Sequence, residues 1–403
     1  MQYDVIVVGA GPAGNLAAQR LASQGHSVCV IDWRENIGDK LCTGIIGREC
    51  MERYSPDLTN VYREASSAVI VAPSGKRFNI AKSQPQAYIV DRVAFVASLA
   101  EKAKRAGATY MLGPRVSSVD IGEAGVDASL KTKQGSQVVH GSMVVVASGF
   151  ASPLVGMVGL ADRGQPEAML GSQAEVEAPN LTETEVYLGN SIAPGSFGWL
   201  VPLADSRALV GLVTRQKLNG HMGHFMDGLE RSGKIKSVIR KSQTWGVPVK
   251  PLSKTYTSRA LVVGDAAGLA KPTTGGGIYY ALLSGDIAAD TAHEAIVGGD
   301  FSARSLKSYE KGWKSVLDAE LRIGYTARVL YEHLGDGGVE SLVEKFASEQ
   351  IQEDLITSGI FSFDRHSGII KKAVRHKILG RLFTSVGNGA IPLLATIAGS
   401  KKA

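Results

Sequence analysis

The sequence predicts an α/β fold in which a parallel-sheet domain is interrupted by an antiparallel β-rich domain and followed by a helical C-terminus. The β-branched run at residues 3–8 (YDVIVV) leads into a glycine turn and a helix, as expected for a strand buried on both faces of a parallel sheet. Short alternating strands occupy about 168–249, and a second buried run at 260–264 restores the first pattern. From about residue 301 the hydrophobic spacing indicates helices.

The N-terminal part is expected to form a βαβ unit, because a helix over 15–24 is closed by Gly25 and followed by a strand over 27–32. Residues 34–48 are expected to form a loop. The further expected elements are a hairpin of strands 68–72 and 76–80, a helix over 91–106, a small meander of strands 116–120, 128–132 and 137–140, and a buried strand over 143–147.

The β-rich insertion is expected to be antiparallel. Its expected elements are strands 169–176, 185–188, 198–202 and 208–214 and a helix near 222–231. A strand at 260–264 and a helix over 278–295 would complete the first domain. The expected division is 1–66, 91–165 and 255–300 for the parallel-sheet domain, 67–90 and 166–254 for the β-rich domain, and 301–403 for the helical region.

The composition is that of an ordinary globular protein. Of the 403 residues 44% are hydrophobic and 20% charged, and no basic, apolar leader precedes the first strand, so we expect a cytoplasmic location. Cys29, Cys42 and Cys50 are too few for a disulfide framework and lack metal-ligand spacing with any histidine, so no metal site is expected. Seven basic residues and no acidic one follow position 370, so the net charge of +6 belongs to the tail and indicates no nucleic-acid surface.

A glycine-rich turn joins the first strand to the first helix. Gly9, Gly11 and Gly14 have G-x-G-x-x-G spacing, and Asp32 ends the next strand 18 residues after Gly14. Gly9 would permit the tight turn, Gly11 would let the backbone approach a pyrophosphate, and Gly14 would let helix and strand pack closely. The phosphates would lie on unpaired helix N–H groups, and Asp32 would accept hydrogen bonds from a ribose diol. A structural turn without a ligand is the alternative.

A second glycine-rich segment follows the strand at 260–264. Gly264 and Asp265 begin an acidic turn at the strand end, and Gly276 and Gly277 precede the helix that starts at Ile278. A carboxylate and a helix N-terminus suit a ribityl chain and the O2/N1 edge of a flavin, which becomes anionic on reduction. The two segments therefore predict a Rossmann-type FAD-binding domain. A helix N-cap is the alternative role of Asp265, and one carboxylate can serve both purposes.

Together these segments resemble the para-hydroxybenzoate-hydroxylase type of FAD fold and, within it, the geranylgeranyl reductase family, over about residues 1–300. In that family a helix brings an arginine to FAD, which Arg92 matches; a solvated surface charge is the alternative. Val116 falls where the family's strand passes the adenine. The residues assigned to FAD by motif or resemblance are Gly9, Gly11, Ala13, Gly14, Asp32, Cys42, Gly44, Arg92, Val116, Gly264, Asp265, Gly276, Gly277 and Ile278.

The family's catalytic-domain motif is Pro-x-x-Tyr-x-Trp-x-Phe-Pro. The chain has Pro194-Gly-Ser-Phe197-Gly-Trp199-Leu-Val201-Pro202, with Phe197 in place of the tyrosine and Val201 in place of the phenylalanine. Phe197 and Trp199 are two residues apart on a strand and share a face, so they would offer an apolar, electron-rich wall to an isoprenoid chain. A core aromatic pair is the alternative.

Family members also carry a Cys-Gly pair before a glycine-rich turn, and Lys40-Leu-Cys42-Thr43-Gly44 stands in that place. The resemblance implies that this loop reaches the isoalloxazine ring. Cys42 would position the ring or deliver a proton, but a thiol of pKa about 8.5 is a poor acid toward an alkene. A purely structural Cys42 is the alternative. Cys29 is expected in the core and Cys50 in the following helix.

The resemblance implies an oxidoreductase that saturates isolated C=C bonds of a polyprenyl chain on a lipid, a diphosphate or a quinone. A monooxygenase or halogenase of the same fold is the alternative enzyme, and a non-catalytic prenyl-lipid carrier is the third reading. The sequence contains no second dinucleotide fingerprint, so the reductant is expected to be transiently bound NADPH, or a ferredoxin-like or quinol donor. The oligomeric state does not follow from the sequence.

The tail, residues 371–403, contains an uncharged stretch at 382–399 between basic residues. Pro392 and the glycines in this stretch argue against a spanning helix. We expect the tail either to lie on an anionic membrane surface, as a peripheral contact suited to a lipid substrate, or to pack on the protein core.

Overall fold

The computed structural model describes residues 2–39, 42–54, 58–133, 135–161, 167–218, 220–347, 362–375 and 397. The strands in these ranges are β1 (Gln2–Val8), β2 (Val28–Asp32), β3 (Ile45–Gly47), β4 (Val61–Ala65), β5 (Ser67–Val71), β6 (Arg77–Ala81), β7 (Ala87–Val90), β8 (Thr109–Leu112), β9 (Arg115–Ile121), β10 (Val126–Thr132), β11 (Gly135–Val146), β12 (Ala168–Glu177), β13 (Thr184–Leu188), β14 (Phe197–Pro202), β15 (Arg207–Thr214), β16 (Ser237–Pro248), β17 (Tyr256–Thr257) and β18 (Ala260–Val262).

The helices in the same ranges are α1 (Pro12–Ser23), α2 (Arg48–Tyr54), α3 (Arg92–Arg105), α4 (Leu154–Met157), α5 (His221–Arg231), α6 (Ile278–Gly298), α7 (Ala303–Glu332), α8 (Asp336–Phe346) and α9 (Ser367–Arg375), with a 3-10 turn over Gly264–Ala267. The chain forms two compact units. The first unit comprises residues 1–40, 92–167 and 248–321, and the second unit comprises residues 41–91, 168–247 and 322–403.

The first unit is built on a sheet with strand order β17-β18-β11-β1-β2-β8. The pairs from β18 to β8 are parallel, as the buried β-branched runs predict. Val5, Ile6 and Val7 in the middle of β1 are completely buried. The expected β1–α1–β2 unit is confirmed, but α1 begins at Pro12 instead of Asn15, because proline fits the first helical position without losing a hydrogen bond.

The strands predicted separately at 137–140 and 143–147 form one strand, β11. The first part of β11 pairs antiparallel with β10, and the part from His140 onward pairs parallel with β1. A Cβ at Gly141, where the partners overlap, would come within 2.8 Å of Ile6 Cγ1. Gly141 therefore permits a close approach of β11 to β1 and does not end a strand. The prediction of separate strands at 137–140 and 143–147 was wrong.

The second unit contains a seven-stranded sheet of order β16-β12-β15-β14-β13-β5-β6 and a three-stranded sheet of order β3-β7-β4. The expected hairpin β5–β6 and the expected antiparallel pairs among β12 to β15 are present. One pair departs from the expected antiparallel arrangement, because β13 lies parallel to β5. Two strands were not predicted: β16, whose first eight residues are exposed, and the short β3 within the expected loop.

One face of the seven-stranded sheet packs on α5. Leu200 and Leu212 from the sheet and Met222 and Phe225 from the helix belong to one buried cluster. Because side chains alternate along a strand, Trp199 points to the opposite face.

In the described part of the region after residue 301, α7, α8 and α9 are helices, as predicted. Residues 41–66, expected in the parallel-sheet domain, are grouped with the second unit, and α7 contributes to both units. Whether the three expected parts are independent domains stays a prediction. Of the uncharged stretch 382–399, only position 397 is among the described residues. Within the described ranges, every helix is too short or too polar to cross a bilayer.

Candidate flavin and substrate sites

The glycine turn before α1 uses its three glycines in different ways. A Cβ at Gly9, whose φ is +113°, would lie 2.3 Å from Ala147 O, and a Cβ at Gly14 would lie 2.0 Å from Gly9 O. Both positions therefore require glycine for packing. Gly11 has extended backbone angles (φ −79°, ψ −178°), and a Cβ there would meet no atom within 4 Å. Open space thus lies at the N-terminus of α1, where helix N–H groups favour an anion.

The Asp32 carboxylate braces this turn. It ends β2 and is 9% exposed; Oδ2 accepts a hydrogen bond from the Ala10 N–H (2.8 Å), and Oδ1 accepts one from the Arg34 N–H (2.9 Å). Each carboxylate oxygen keeps a further lone pair for a ribose hydroxyl. The arrangement fits the diphosphate and ribose of FAD at adjacent places.

We expect Asp32→Asn to weaken FAD binding about tenfold, because the amide offers one acceptor where two backbone N–H groups need one each. Titration of the apoprotein with FAD, followed by quenching of flavin fluorescence, measures the Kd. Asp127→Asn on β10, which removes a carboxylate that is 55% exposed, serves as the matched control. An unchanged Kd for Asp32→Asn would contradict its role at the ribose.

The second glycine segment packs against the start of α1. A Cβ at Gly264 would lie 3.4 Å from Ala13 Cβ, and a Cβ at Gly285 would lie 2.4 Å from Ala13 O. The two segments expected to bind FAD therefore meet at Ala13. A Cβ at Gly277 would lie 2.7 Å from Asp265 Oδ1, so this carboxylate lies against the backbone at the N-terminus of α6. α6 begins at Ile278, the residue predicted to start it.

Lys271, which was not among the predicted site residues, is a buried lysine. It is 5% exposed, and a Cβ at Gly276 would lie 2.7 Å from its Cε and 3.3 Å from its Nζ. The loop is closed by hydrogen bonds from the Gly275 N–H to Lys271 O and from the Lys271 N–H to Gly276 O. A cation and a helix N-terminus therefore lie together in the segment expected to meet the flavin's anionic edge. The sequence feature that could have identified Lys271 is a lysine within an otherwise apolar and glycine-rich stretch.

Arg92 and Val116 also lie in the first unit. Arg92 begins α3, and its Nη1 donates a hydrogen bond to Gly38 O, in the loop that follows Asp32. This contact makes Arg92 more than a freely solvated charge. Val116 lies on β9, is half-buried and pairs with Leu130. Their contacts with FAD remain predictions.

Trp33, directly after Asp32, is an exposed aromatic residue next to the expected ribose site that was not among the predicted site residues. Its side chain is 51% exposed and contacts two guanidinium groups, with Arg34 at 4.4 Å and Arg115 at 5.1 Å from the ring centroid. An aromatic residue next to the acidic strand end was the signal that could have found it.

Three aromatic rings form a wall in the second unit. The Phe197 and Trp199 ring centroids are 5.9 Å apart, and Trp245 on β16 lies 6.4 Å from Trp199. A Cβ at Gly211 would lie 2.4 Å from Trp199 Cζ2, and a Cβ at Gly171 would lie 2.6 Å from Trp245 Cε2. The two glycines therefore let the indole rings cover the neighbouring strands. We call Phe197, Trp199 and Trp245 the aromatic wall; Trp245 was missed because β16 was not predicted.

Gln173 connects the aromatic wall to the loop of Cys42. It is 2% exposed, and its Oε1 accepts hydrogen bonds from Trp199 Nε1 (3.3 Å) and from the Thr43 hydroxyl (3.0 Å). Its Nε2 donates to Cys42 O at 3.4 Å. The structure thus brings the three predicted catalytic residues, Cys42, Phe197 and Trp199, into one neighbourhood.

The three cysteines differ in accessibility. Cys29 is completely buried in β2, and burial raises the pKa of its thiol to about 11. Cys50 is 1% exposed in α2, whereas Cys42 is half-buried in its loop. Among the described residues no group of three His, Cys, Asp or Glu side chains is arranged to hold a metal ion.

The predicted FAD residues divide between the units. Cys42 and Gly44 belong to the second unit, where Gly44 O accepts a hydrogen bond from the Val90 N–H and Gly44 has a φ of +73°. The predicted FAD residues of the first unit are Gly9, Gly11, Ala13, Gly14, Asp32, Arg92, Val116, Gly264, Asp265, Gly276, Gly277 and Ile278.

The parallel sheet, the paired glycine segments and the β-rich insertion define the class of FAD-dependent oxidoreductases. A sequence profile described as lycopene cyclase protein matches residues 4–327. The chain is also 31% identical over 354 residues to the digeranylgeranylglycerophospholipid reductase of Methanocaldococcus jannaschii, covering 85% of this chain and 90% of that protein. The chain belongs to the geranylgeranyl reductase family, within this wider group of flavoproteins.

Solved structures agree with this assignment. A geranylgeranyl bacteriochlorophyll reductase-like protein from Thermoplasma acidophilum superimposes with a TM-score of 0.84 at 26% identity, over 95% of this chain and 99% of that chain. A flavin-dependent brominase superimposes with a TM-score of 0.68 at 19% identity, over 93% and 99% of the two chains. The likeness to the brominase concerns the fold alone.

Proposed function

We propose that this protein is an FAD-dependent reductase that saturates isolated C=C bonds in the geranylgeranyl chains of a lipid. The aromatic wall over two glycines is the observation that carries this proposal, because it offers an apolar, electron-rich surface in a chain whose relatives include a digeranylgeranylglycerophospholipid reductase. The same relatives favour a lipid over a free diphosphate or a quinone as the carrier of the polyprenyl chain.

Bound FAD would supply a hydride equivalent from its reduced ring. An isolated alkene has no carbonyl to polarise it, so the carbon that gains positive character must be stabilised by its surroundings. In this proposal the half-buried face of Phe197 and the part of Trp199 that remains exposed, 6% of the residue, would provide a cation–π contact worth about 0.5–2 kcal/mol. A trisubstituted isoprenoid alkene would place the developing charge on a tertiary carbon, and a contact of this size would change the rate roughly two- to thirtyfold.

Anaerobic reoxidation of the flavin tests the proposal. The purified holoprotein is reduced chemically without oxygen, mixed with a geranylgeranyl glycerolipid in micelles, and followed by flavin absorbance and by mass spectrometry of the lipid. We expect flavin reoxidation together with addition of one H2 per saturated bond. Separate reactions with geranylgeranyl diphosphate and a polyprenyl quinone compare the three carriers.

Two other outcomes would overturn the proposal. Turnover only when oxygen is admitted, with no saturated lipid, would favour a monooxygenase or halogenase. Tight lipid binding without any redox change would favour a carrier. We expect the reductant to be NADPH or a ferredoxin-like donor, and the rate of flavin reduction by each, measured without lipid, distinguishes them.

We expect Lys271→Met to lower the midpoint potential of bound FAD by about 30 mV, equivalent to a tenfold loss of preference for the reduced flavin. The reason is that the buried ammonium and the N-terminus of α6 together favour an anionic flavin. A spectroscopic redox titration measures the potential. Lys314→Met, at a lysine that is 44% exposed on α7, is the matched control. Equal potentials in Lys271→Met and the wild type would refute this role.

Ala373 and Ile397 of the tail are buried in one cluster with Leu330 and Val343, as packing on the protein core would require. We also propose that the basic residues of the tail contact the membrane surface. Its seven basic residues suit anionic lipid headgroups, each contributing about 1 kcal/mol near the surface. Sedimentation of the full chain with vesicles of anionic or of neutral lipid tests this. Equal recovery of the protein with both kinds of vesicle would instead favour a tail packed on the protein.

A further inference from the structure

Gln173, Gly211 and Trp199 lie in one row across three neighbouring strands. Trp199 on β14 is directly opposite Gly211 on β15, and Gly211 is directly opposite Gln173 on β12. Residues in such a row share a face of the sheet. Because Gly211 has no side chain, the indole of Trp199 crosses β15 and reaches Gln173 two strands away.

The hydrogen bonds determine which way the Gln173 amide faces. The indole N–H of Trp199 is only a donor, so the amide oxygen must point toward it. The same oxygen accepts the Thr43 hydroxyl, which leaves the amide NH2 group directed to Cys42 O. All three partners are therefore satisfied by a single orientation of one buried side chain.

We propose that Gln173 is a positioning residue that fixes the Cys42 loop relative to the ring of Trp199. Its catalytic meaning depends on the function proposed above, whereas its structural effect on the loop does not. The amide joins two places that are far apart in sequence, Cys42–Thr43 and Trp199, through its two polar atoms. Loss of these hydrogen bonds would release the loop and, with it, the side chain of Cys42. The aromatic wall would still offer an apolar surface to the lipid.

Two variants separate the links. Thr43→Val removes the hydroxyl at nearly constant volume and leaves the bond between Trp199 and Gln173 intact. Gln173→Leu removes the bonds to both the loop and the indole. Thr43→Ser, which keeps a hydroxyl, is the conservative variant and should behave like the wild type.

The rate of alkylation of Cys42 by iodoacetamide reports the position of the loop in the FAD-loaded protein. Cys29 and Cys50 are buried, so intact-mass and peptide analysis should find the label on Cys42 in every folded variant. We expect alkylation about fivefold faster in Thr43→Val, and faster still in Gln173→Leu, because hydrogen bonds of ordinary strength are lost. Absence of label on Cys29 and Cys50 shows that the increase does not come from global unfolding.

Steady-state reduction of the geranylgeranyl lipid supplies the second readout. We expect kcat to fall about tenfold in Gln173→Leu with KM changed little, since the wall that holds the chain remains. Wild-type alkylation rates and kcat in both Thr43→Val and Gln173→Leu would overturn the positioning role. If the wild type itself reduces no lipid, the proposed function fails, and the alkylation rates still decide whether Gln173 fixes the loop.

Discussion

Gly11→Val is expected to give a folded protein that retains no FAD. The backbone at Gly11 is extended and a Cβ there would meet no atom within 4 Å, so the first atom of a side chain fits without strain in the backbone. The valine side chain would instead fill the space at the N-terminus of α1 that a diphosphate needs, and thereby remove its contact with the helix N–H groups. Absorbance near the flavin maximum after purification, and thermal unfolding of the apoprotein, measure the two effects separately.

Substitutions at two other glycines provide controls for this experiment. Gly14→Ala places a methyl group 2.0 Å from Gly9 O and should impair folding itself, in contrast to Gly11→Val. Gly223→Val changes an exposed glycine of α5 whose Cβ also meets nothing, and this control should remain yellow. Stoichiometric FAD in purified Gly11→Val would refute the assignment of the glycine turn to the diphosphate.

Trp199→Ala is expected to slow reduction of the geranylgeranyl lipid by roughly tenfold or more while FAD is retained. The substitution removes the centre of the aromatic wall and the donor to Gln173 Oε1, but lies outside the unit that contains the glycine turn. Single-turnover reoxidation of the reduced flavin by lipid measures the rate, and FAD content is measured on the same sample.

Loss of a buried indole also creates a cavity, which costs about 3–5 kcal/mol of stability. Trp199→Phe therefore serves as a second variant, because it keeps an aromatic face and leaves a smaller cavity, although it loses the N–H and part of the ring area. We expect its rate to lie between those of the wild type and Trp199→Ala. If both variants are destabilised but reduce lipid at the wild-type rate, Trp199 belongs to the core and takes no part in the reaction.

Features that depend on local sequence were predicted well. The β-branched run of β1, the glycine spacing before α1 and the start of α6 at Ile278 are all set by neighbouring residues, and the structure has each of them. The same holds for the pair Phe197 and Trp199, because a spacing of two residues on a strand determines a shared face.

Features that depend on the order of strands in the sheet were missed. Gln173 is an ordinary polar residue within β12, and its role appears only when β15 and β14 are placed beside it. Trp245 lies on β16, whose exposed first residues lack the alternation that marks a half-buried strand. Lys271 is buried by a loop that folds back on itself, and lysine is among the residues least expected inside a protein.

The two glycines beneath the aromatic wall have a consequence for how such an enzyme diversifies. A single nucleotide change turns a glycine codon into an alanine codon, and a methyl group at position 171 or 211 would collide with an indole ring at 2.6 or 2.4 Å. At position 171 the ring of Trp245 would have to tilt away from the strand, which would change the contour of the wall with every aromatic side chain still in place. At position 211 the methyl group would also lie 2.7 Å from Ser172 O, so the backbone would have to shift as well. If the wall holds the substrate as proposed, selectivity for the width of the chain can evolve through residues beneath the wall that the ligand itself would not contact.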